Sequence, residues 1–475
     1  MLDWDSASPF MKHLLAAAAL VALLLFLIMH QVLPGNVSSE PYVYDEADYM
    51  YAASLGYFAN WVDTPTLPLS DFLRIGLSRG KPAGGRQELS EFIRQSNDVL
   101  FYRHWHGPLY HYFLIPVSRL RLNEHDVRAA MLVIPALTLL AIYFGCLWLV
   151  PGTPGLLTAI LASVLFLSSF SVFRSTELAP HQLFVLCYLC CLIFLAKTVA
   201  TGRRSAWYAA VTMAALAFCT LEVAFVAVLT LAICAYIERV RLQMDWRFAA
   251  RSLMLLIATV VIVWPAAIFK LTFVKSYLFM AYLALVRKGS WGDVGFFGTW
   301  RNRVLDSPLE WAVIALALVL YLRRPWQKDH RLAYPILTFA ILMLAATARV
   351  LSDSARYSLP FMPALDLFAG VTLAPFLASL RRPAAFGIAG LLVAGLCATA
   401  LYEASNHPVQ PDPHPAAVLE HIRQANLTDK ALLVPQNALP MIHYYFPATH
   451  LRGYYTPQPA PADFEGFAPD AILYP

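Results

Sequence analysis

The sequence predicts an α-helical polytopic membrane protein with about eleven transmembrane helices and a small extracytoplasmic α/β tail at the C-terminus. Of its 475 residues, 59% are hydrophobic and 14% are charged, and the mean hydropathy is +0.57. Soluble domains average roughly 45–50% apolar and about 25% charged residues. The chain therefore has too little polar surface for several soluble globules, and its apolar residues fall in runs long enough to cross a bilayer.

Each predicted span is a mostly apolar run, and a bilayer crossing takes about 20 such residues. The first run follows Lys12 and lacks a small-residue cleavage site, so we interpret it as an uncleaved anchor with a cytoplasmic N-terminus. The runs are 13–33, 126–150, 155–172, 181–199, 205–219, 221–238, 251–270, 308–322, 332–350, 357–379 and 384–402.

Basic residues set the predicted orientation, because short cytoplasmic loops carry an excess of Lys and Arg. Four predicted cytoplasmic loops meet this rule. Their basic residues are Arg203, Arg204, Arg239, Arg241, Arg247, Arg323, Arg324, Lys328, Arg381 and Arg382. The apolar stretch 107–120 is too short and too aromatic to cross, so we expect an interfacial helix there. The expected location is the inner (plasma) membrane, with the tail outside.

The predicted domains are a transmembrane unit over 1–402, whose first extracytoplasmic loop covers 34–125, and a soluble tail over 403–475. The tail holds seven acidic and three basic residues. Its pattern predicts two helices and two strands. These are helices at Pro415–Gln424 and Ala438–Tyr445 and strands at Ala431–Pro435 and Ala471–Tyr474.

Composition also excludes several classes of protein and site. The net charge of +5 forms no basic stripe interleaved with aromatic residues, so nucleic-acid binding is not expected. All seven cysteines fall within apolar runs, which does not support a disulfide framework. Cys187, Cys190 and Cys191 lie close together, but their apolar helical setting favours packing over metal ligation.

Charged residues in or beside a bilayer are costly and are therefore candidates for function. Asp45, Glu46 and Asp48, with Tyr49 beside them, follow the first span at the predicted start of a helix. Asp45 as an N-cap, with its neighbours complementing the helix dipole, is the alternative interpretation.

Two further clusters lie at predicted outside loops. His104, His106 and Pro108 enter the interfacial helix, where an aromatic belt is the alternative to a site. Arg174 and Glu177 lie in the short loop before His181. Helix capping and snorkelling would explain this second cluster equally well.

The remaining cations lie in two segments. Lys275, Arg301 and Arg303 belong to an outside loop rich in tryptophan and glycine, a composition that suits an anionic lipid head group. Contact with ordinary anionic phospholipid is the alternative. Arg356 and Tyr357 precede two prolines three residues apart, which bend or unwind a helix start and free backbone groups to line a cavity.

The order of these motifs resembles the GT-C fold of membrane glycosyltransferases. The motifs are an Asp-Glu pair after the first span, a His-Gly-Pro-Leu segment, an Arg-bearing outside loop and a late Arg-Tyr-x-x-Pro-x-x-Pro-Ala segment. The match is specifically to the bacterial protein O-mannosyltransferase and aminoarabinose-transferase-like group, over residues of about 30–400.

The resemblance implies that a hexosyl or pentosyl group moves from a polyprenyl-phosphate carrier, with inversion, to a glycan, lipid or protein acceptor. By the same resemblance, Asp45 is the catalytic base and Glu46 positions the acceptor or tunes the acid. His106, Pro108 and Leu109 would shape the site, and Arg174 and Arg356 would approach the phosphate. Membrane lipids are the remaining expected partners. Since arginines can stabilise the leaving phosphate, we expect no obligatory divalent ion, although a divalent metal would be compatible with the site.

The sequence departs from the group's pattern twice. Pro180-His181 stands where an Asp often follows, so Glu177 is the expected substitute acid. Glu222 stands in a Thr-Leu-Glu segment where many members have Thr-Lys, which reverses a charge near the site. The alternatives are a transporter or flippase for a lipid-linked or polar substrate and a non-catalytic assembly subunit. Charges gathered at the outside ends of spans favour catalysis at the interface over transport.

Overall fold

The structure is a computed structural model of the whole chain. It describes residues 9–32, 40–60, 106–120, 122–169, 172, 178–268, 298–323, 330–348, 355–406, 413–435, 437–454, 458–459, 461–464 and 466–474. Most of these residues are helical, as the apolar composition requires.

The N-terminal half of the described chain contains ten α-helices. They are α1 (Pro9–Val32), α2 (Tyr44–Ser54), α3 (Leu109–Arg119), α4 (Glu124–Met131), α5 (Val133–Leu149), α6 (Gly152–Ser168), α7 (His181–Thr201), α8 (Arg204–Phe218), α9 (Phe225–Glu238) and α10 (Trp246–Val263). A short 3-10 turn at Glu222–Ala224 separates α8 from α9.

Seven more described helices follow, with three short strands in the tail. The helices are α11 (Gly298–Asp306), α12 (Pro308–Arg323), α13 (His330–Thr347), α14 (Met362–Ala378), α15 (Arg382–Asn406), α16 (His414–Gln424) and α17 (Leu439–Tyr445). The strands are β1 (Ala431–Pro435), β2 (His450–Tyr454) and β3 (Ala471–Ile472).

Helices α6, α7 and α14 form the centre of the helical core. Helix α6 packs against α5, α14 and α15, and α7 packs against α5, α8 and α13. The fully buried side chains in this region are large and apolar or aromatic, and they include Phe166, Phe184, Tyr188 and Phe368. Such all-round burial explains why these helices show no polar face in the sequence.

Local sequence signals explain several helix boundaries. The Asn123 side chain accepts a hydrogen bond from the Asp126 backbone N–H and caps α4, and Asp245 caps α10 in the same way through Phe248. Gly202 ends α7 with φ of +73°, a left-handed conformation that glycine adopts without steric cost.

By length and composition, three helices of the described residues could each cross a membrane. They are 124–149, which joins α4 and α5, together with α7 and α10. Helices α11 and α12 pass the same test together but bend by 108° at Ser307, as in a broken span or a re-entrant loop. Shorter apolar helices include α6, α13 and α14. The predicted count of about eleven spans stays a prediction.

The tail contains a parallel three-stranded sheet in the order β2-β1-β3. Strand β1 coincides with the strand predicted at 431–435, and the tail helices lie within one residue of their predicted starts. Strand β2 was not predicted, and β3 is two residues long. Helix α17 packs against α2, so the tail contacts the segment that carries the Asp-Glu pair.

Candidate active site

Helix α2 positions Asp45 at the centre of the site. The helix begins at Tyr44, and Val43 occupies the N-cap position without a side-chain cap. Asp45 is therefore not the N-cap but a first-turn residue, where a negative charge is favoured by the helix dipole. Its Oδ2 lies 3.0 Å from Nη1 of Arg356, and 30% of the Asp45 side chain is exposed.

Arg356 reaches Asp45 from the unwound segment that precedes α14. It lies in a 3-10 turn at Ala355–Tyr357, and its Nη2 donates to the Tyr357 hydroxyl at 3.2 Å. The ring of His181, at the start of α7, meets Tyr357 edge-on with ring centroids 5.9 Å apart. The site thus joins a carboxylate, a guanidinium and an imidazole carried by three separate helices or turns.

Glu46 faces the other side of α2 and is buried. Its Oε2 pairs with Nη2 of Arg128 at 2.6 Å, and its Oε1 accepts from Arg128 Nε at 3.2 Å and from the Leu178 backbone N–H at 2.8 Å. These contacts engage both carboxylate oxygens. They fix α2 beside α4 and the start of α7, and removing either partner of such a buried pair is strongly destabilising.

Tyr49 is buried one turn after Asp45, among aromatic rings. Its ring centroid lies 5.9 Å from that of His106, 5.7 Å from Tyr110 and 5.6 Å from His111. Burial raises the pKa of Tyr49 well above its ordinary value, and the charge of Asp45 raises it further. Tyr49 therefore stays neutral and forms an apolar wall beside Asp45. Asp48, the third acid of the cluster, is also buried.

The His-Gly-Pro-Leu segment crosses the end of α8 at very short range. The Leu109 backbone N–H donates to the Cys219 carbonyl at 2.9 Å. A β-carbon at Gly107 would lie 2.3 Å from the carbonyl carbon and oxygen of Cys219, so only glycine fits there. This approach brings Nδ1 of His106 within 2.8 Å of Glu222 Oε2. Glu222, where the group often carries Lys, thus pairs with a histidine of the site.

The remaining predicted residues either lie outside the described part of the chain or occupy α3 and α11. His104, Arg174, Glu177 and Lys275 lie outside the described residues, and their roles stay predictions. Pro108 is buried as the N-cap of α3, and Arg301 is exposed on α11.

Arg303, predicted to hold an anionic lipid, is buried, and that role stays a prediction. It is 5% exposed, and its Nη2 lies 2.9 Å from Asp306 Oδ2. It interacts electrostatically with Glu310 on α12, and Glu310 in turn interacts electrostatically with Asp366 on α14. The physical reason for this placement is the burial of these two carboxyls, at 3% and 0% exposure, since a buried negative charge requires a nearby cation or proton.

Sequence reasoning missed this inner acidic cluster, together with Glu124 and Arg128. Asp366 lies within the predicted span 357–379, and a lone acid inside an apolar run was the available signal. Arg128 and Glu124 lay at a predicted span boundary, where nothing in the sequence identifies their partners. Within the described ranges, no group of three or more His, Cys, Asp or Glu side chains could hold a metal ion. The expectation of metal independence stays a prediction.

The chain is similar in sequence to one protein family. A family model described as dolichyl-phosphate-mannose-protein mannosyltransferase matches residues 105–264, about a third of the chain. That segment includes His106, Gly107 and Glu222. No curated protein matches the sequence.

Three solved structures share the architecture at low sequence identity. ArnT from Cupriavidus metallidurans, bound to undecaprenyl phosphate, is 15% identical with a TM-score of 0.58, over 91% of this chain and 84% of ArnT. The Archaeoglobus fulgidus oligosaccharyltransferase in its apo form is 12% identical with a TM-score of 0.60, over 95% and 65% of the two chains. Its complex with an inhibitory peptide and a dolichol-phosphate is 13% identical, with a TM-score of 0.58, over 94% and 65%.

This chain thus spans less than two thirds of the archaeal enzyme and most of the bacterial one. Agreement over nine tenths of the chain at 12–15% identity establishes the fold. The chain is a multi-pass membrane protein with the GT-C fold of membrane glycosyltransferases, as predicted from its sequence.

Proposed function

We propose that the protein is an inverting glycosyltransferase that moves a sugar from a polyprenyl-phosphate carrier to an acceptor at the extracytoplasmic membrane face. The observation that carries this proposal is the 3.0 Å approach of the Asp45 carboxylate to the Arg356 guanidinium in a chain with the GT-C fold. It joins the two groups that an inverting displacement requires, a proton acceptor and a cation for the leaving phosphate.

In the proposed reaction, the acceptor oxygen attacks the anomeric carbon of the donor sugar. The bond from that carbon to the phosphate oxygen breaks, and its electron pair stays on the phosphate. Asp45 takes the proton of the acceptor hydroxyl, and the configuration at the anomeric carbon inverts. Arg356 stabilises the negative charge on the released polyprenyl phosphate. Every atom is accounted for without a further co-reactant.

The ion pair also connects donor binding to the state of the base. A phosphate bound to Arg356 competes with Asp45 for the guanidinium, because both are anions that prefer its paired N–H groups. Binding of the donor therefore releases the carboxylate to accept a proton. The structures of ArnT with undecaprenyl phosphate and of the archaeal enzyme with dolichol-phosphate support a polyprenyl phosphate as the carrier.

His106 and Glu222 form a second polar pair across the aromatic wall of Tyr49. In this proposal they contact the acceptor or the sugar hydroxyls, since a carboxylate-paired imidazole can donate or accept through its free nitrogen. The acceptor is a glycan, a lipid or a protein, and the sugar is a hexose or a pentose. We place the enzyme in the inner (plasma) membrane with the site outside.

The experiment that tests this proposal uses the full chain in lipid nanodiscs. Undecaprenyl phosphate is the binding probe, measured by native mass spectrometry, and a panel of undecaprenyl-phosphate hexoses and pentoses tests transfer. We expect Asp45→Asn to lower transfer by at least about 100-fold, since a positioned base contributes that much or more. The same variant should bind undecaprenyl phosphate at least as tightly as the wild type, whereas Arg356→Gln should weaken binding.

Asp429→Asn is the matched control, because Asp429 is an exposed tail carboxylate beside Lys430. It should leave both measurements unchanged. Transfer by Asp45→Asn at the wild-type rate would overturn the assignment of the base. Mass spectrometry of envelope glycans from a deletion strain identifies the missing sugar and its acceptor. Treatment with EDTA tests metal independence, and we expect transfer to persist.

A further inference from the structure

The tail holds the backbone just before Asp45. The Tyr445 hydroxyl, on α17, accepts a hydrogen bond from the Tyr42 backbone N–H at 2.9 Å and donates one to Glu124 Oε1 at 2.6 Å. A single tail hydroxyl thus connects the entry to α2 with the start of α4. Tyr42, only three residues before Asp45, is 2% exposed.

Aromatic packing shields this contact from water. The Tyr42 ring meets Tyr444 edge-on at 5.4 Å and lies nearly parallel to Tyr445 at 6.5 Å. Further along α2, the ring centroid of Tyr51 lies 4.2 Å from that of His443 on α17. Because the Tyr42 ring is buried and the Tyr445 side chain is half-buried, the hydrogen bonds of Tyr445 are less exposed to water and stronger than fully exposed ones would be.

Between Tyr42 and Asp45 the backbone adopts an unfavourable conformation. Tyr44 has φ of +46°, in the left-handed region. That conformation costs about 1–2 kcal/mol for a residue with a β-carbon, and it persists only where the surrounding structure fixes it. On the C-terminal side, Glu46 is fixed by Arg128 and by the Leu178 backbone. On the N-terminal side, the Tyr445 hydroxyl holds the Tyr42 backbone N–H, while Arg128 lies 5.1 Å from the Tyr42 ring centroid and donates to the Glu40 carbonyl at 2.9 Å. Tyr445 is therefore the tail's contribution to fixing this side.

We propose that Tyr445 is a positioning residue: by holding Tyr42, the tail keeps Tyr44 left-handed and directs the Asp45 carboxylate toward Arg356. The catalytic part of this inference rests on the proposed function, whereas its effect on the backbone of α2 does not. The tail is then part of the active site's framework.

The test begins with Tyr445→Phe, which keeps the ring and removes the hydroxyl. We expect hydrogen exchange to become faster at the amides of residues 44–54 and to stay unchanged in α16. We also expect kcat to fall about 10- to 100-fold, since small displacements of a catalytic group have effects of that size. KM for an undecaprenyl-phosphate sugar should not rise, because Arg356 belongs to another element and a displaced Asp45 competes less with the phosphate for it.

Tyr454→Phe is the matched control. It also removes a buried tail hydroxyl, but that hydroxyl donates to the Leu473 carbonyl within the tail itself. It should leave both the exchange of α2 and kcat unchanged. An equal effect of the two variants would mean that Tyr445 serves only the stability of the tail, and would overturn the proposal.

A second substitution separates positioning from general stability. Glycine at position 44 adopts the left-handed conformation without strain. The double variant Tyr44→Gly/Tyr445→Phe should therefore have nearly the same kcat as the single variant Tyr44→Gly. The double variant Tyr44→Phe/Tyr445→Phe should keep the low kcat of Tyr445→Phe, because phenylalanine at position 44 is as strained as tyrosine. Equal rescue by both would overturn the proposal. If the wild type transfers no sugar from any donor, the proposed function fails, and the exchange of α2 still decides the positioning by Tyr445.

Discussion

At Gly107 the main chain meets the main chain of Cys219, and this single approach aligns His106 with Glu222. A methyl group at Gly107 would require the two backbones to separate, because backbone atoms cannot rotate away as a flexible side chain can. We expect Gly107→Ala to lower the free energy of unfolding by about 1–3 kcal/mol and to reduce transfer. Thermal unfolding and a transfer assay measure the two effects.

The control for this prediction is Gly387→Ala in α15, where no atom lies within 4 Å of the added carbon. It should leave stability unchanged or raise it by up to about 1 kcal/mol, the helix preference of alanine over glycine. Equal unfolding temperatures for the two alanine variants would show that the crossing at Cys219 is not restrictive.

Individual residues of the site could be predicted, but their partners could not. Asp45 and Arg356 each attract notice as charges beside apolar runs, yet 311 positions separate them in the sequence. Glu46 and Asp45 are adjacent carboxylates, and the sequence does not show which of them faces the site. Since successive residues of a helix point about 100° apart, one acid faces Arg356 and the other faces Arg128. The packing of α4, which carries Arg128, and of the segment before α14, which carries Arg356, decides which acid meets which arginine.

At the scale of elements, most helices were predictable from apolar runs, because both burial in the core, as for α7, and contact with a bilayer, as expected for α10, favour apolar side chains. The break between α8 and α9, at Cys219–Leu221, also follows from the polar interruption in the sequence. Strand β2 was missed because His450–Tyr454 lacks alternation and contains a glycine. Its strand conformation comes from pairing with β1, a contact that the local sequence does not encode.

The contact between α17 and α2 predicts a loss of stability at alkaline pH. Burial raises the pKa of Tyr445 above its ordinary value, and the hydrogen bond to Glu124 raises it further. A raised folded-state pKa contributes stability that is complete below the unfolded pKa, about 10 for tyrosine, and is lost as pH rises above it. The free energy of unfolding should therefore fall above pH of about 10.

Tyr445→Phe should make this alkaline slope shallower by up to about 1.4 kcal/mol per pH unit, the value for one proton. Unfolding by denaturant at several pH values between neutral and strongly alkaline measures the slope. Tyr474→Phe is the control, because Tyr474 is exposed at the end of the tail. A slope that is the same in all three proteins would contradict the prediction.

For the whole molecule, the bilayer is expected to supply part of the environment that folding requires. Of the eighteen residues of α10, all of them described, Phe248 alone is buried by protein. We expect Ile257→Asp, near the middle of α10 and half exposed, to cost about 3 kcal/mol in a lipid bilayer. Tyr474→Asp, exposed in the tail, should stay within about 0.5 kcal/mol of the wild type. Reversible unfolding in bicelles measures the free energy of unfolding of both variants. An unchanged value for Ile257→Asp would show that water surrounds α10.

The low burial of α10 by protein affects how the protein is purified and how its sequence can change. We expect acyl chains to cover this face of the molecule, so that lipid composition would act on it as a mutation acts on a buried core. A change of host membrane, or of detergent, replaces the neighbours of Leu253, Met254 and Ile262 all at once. We therefore expect substitutions along that face to be constrained by the surrounding lipids rather than by the chemistry at Asp45.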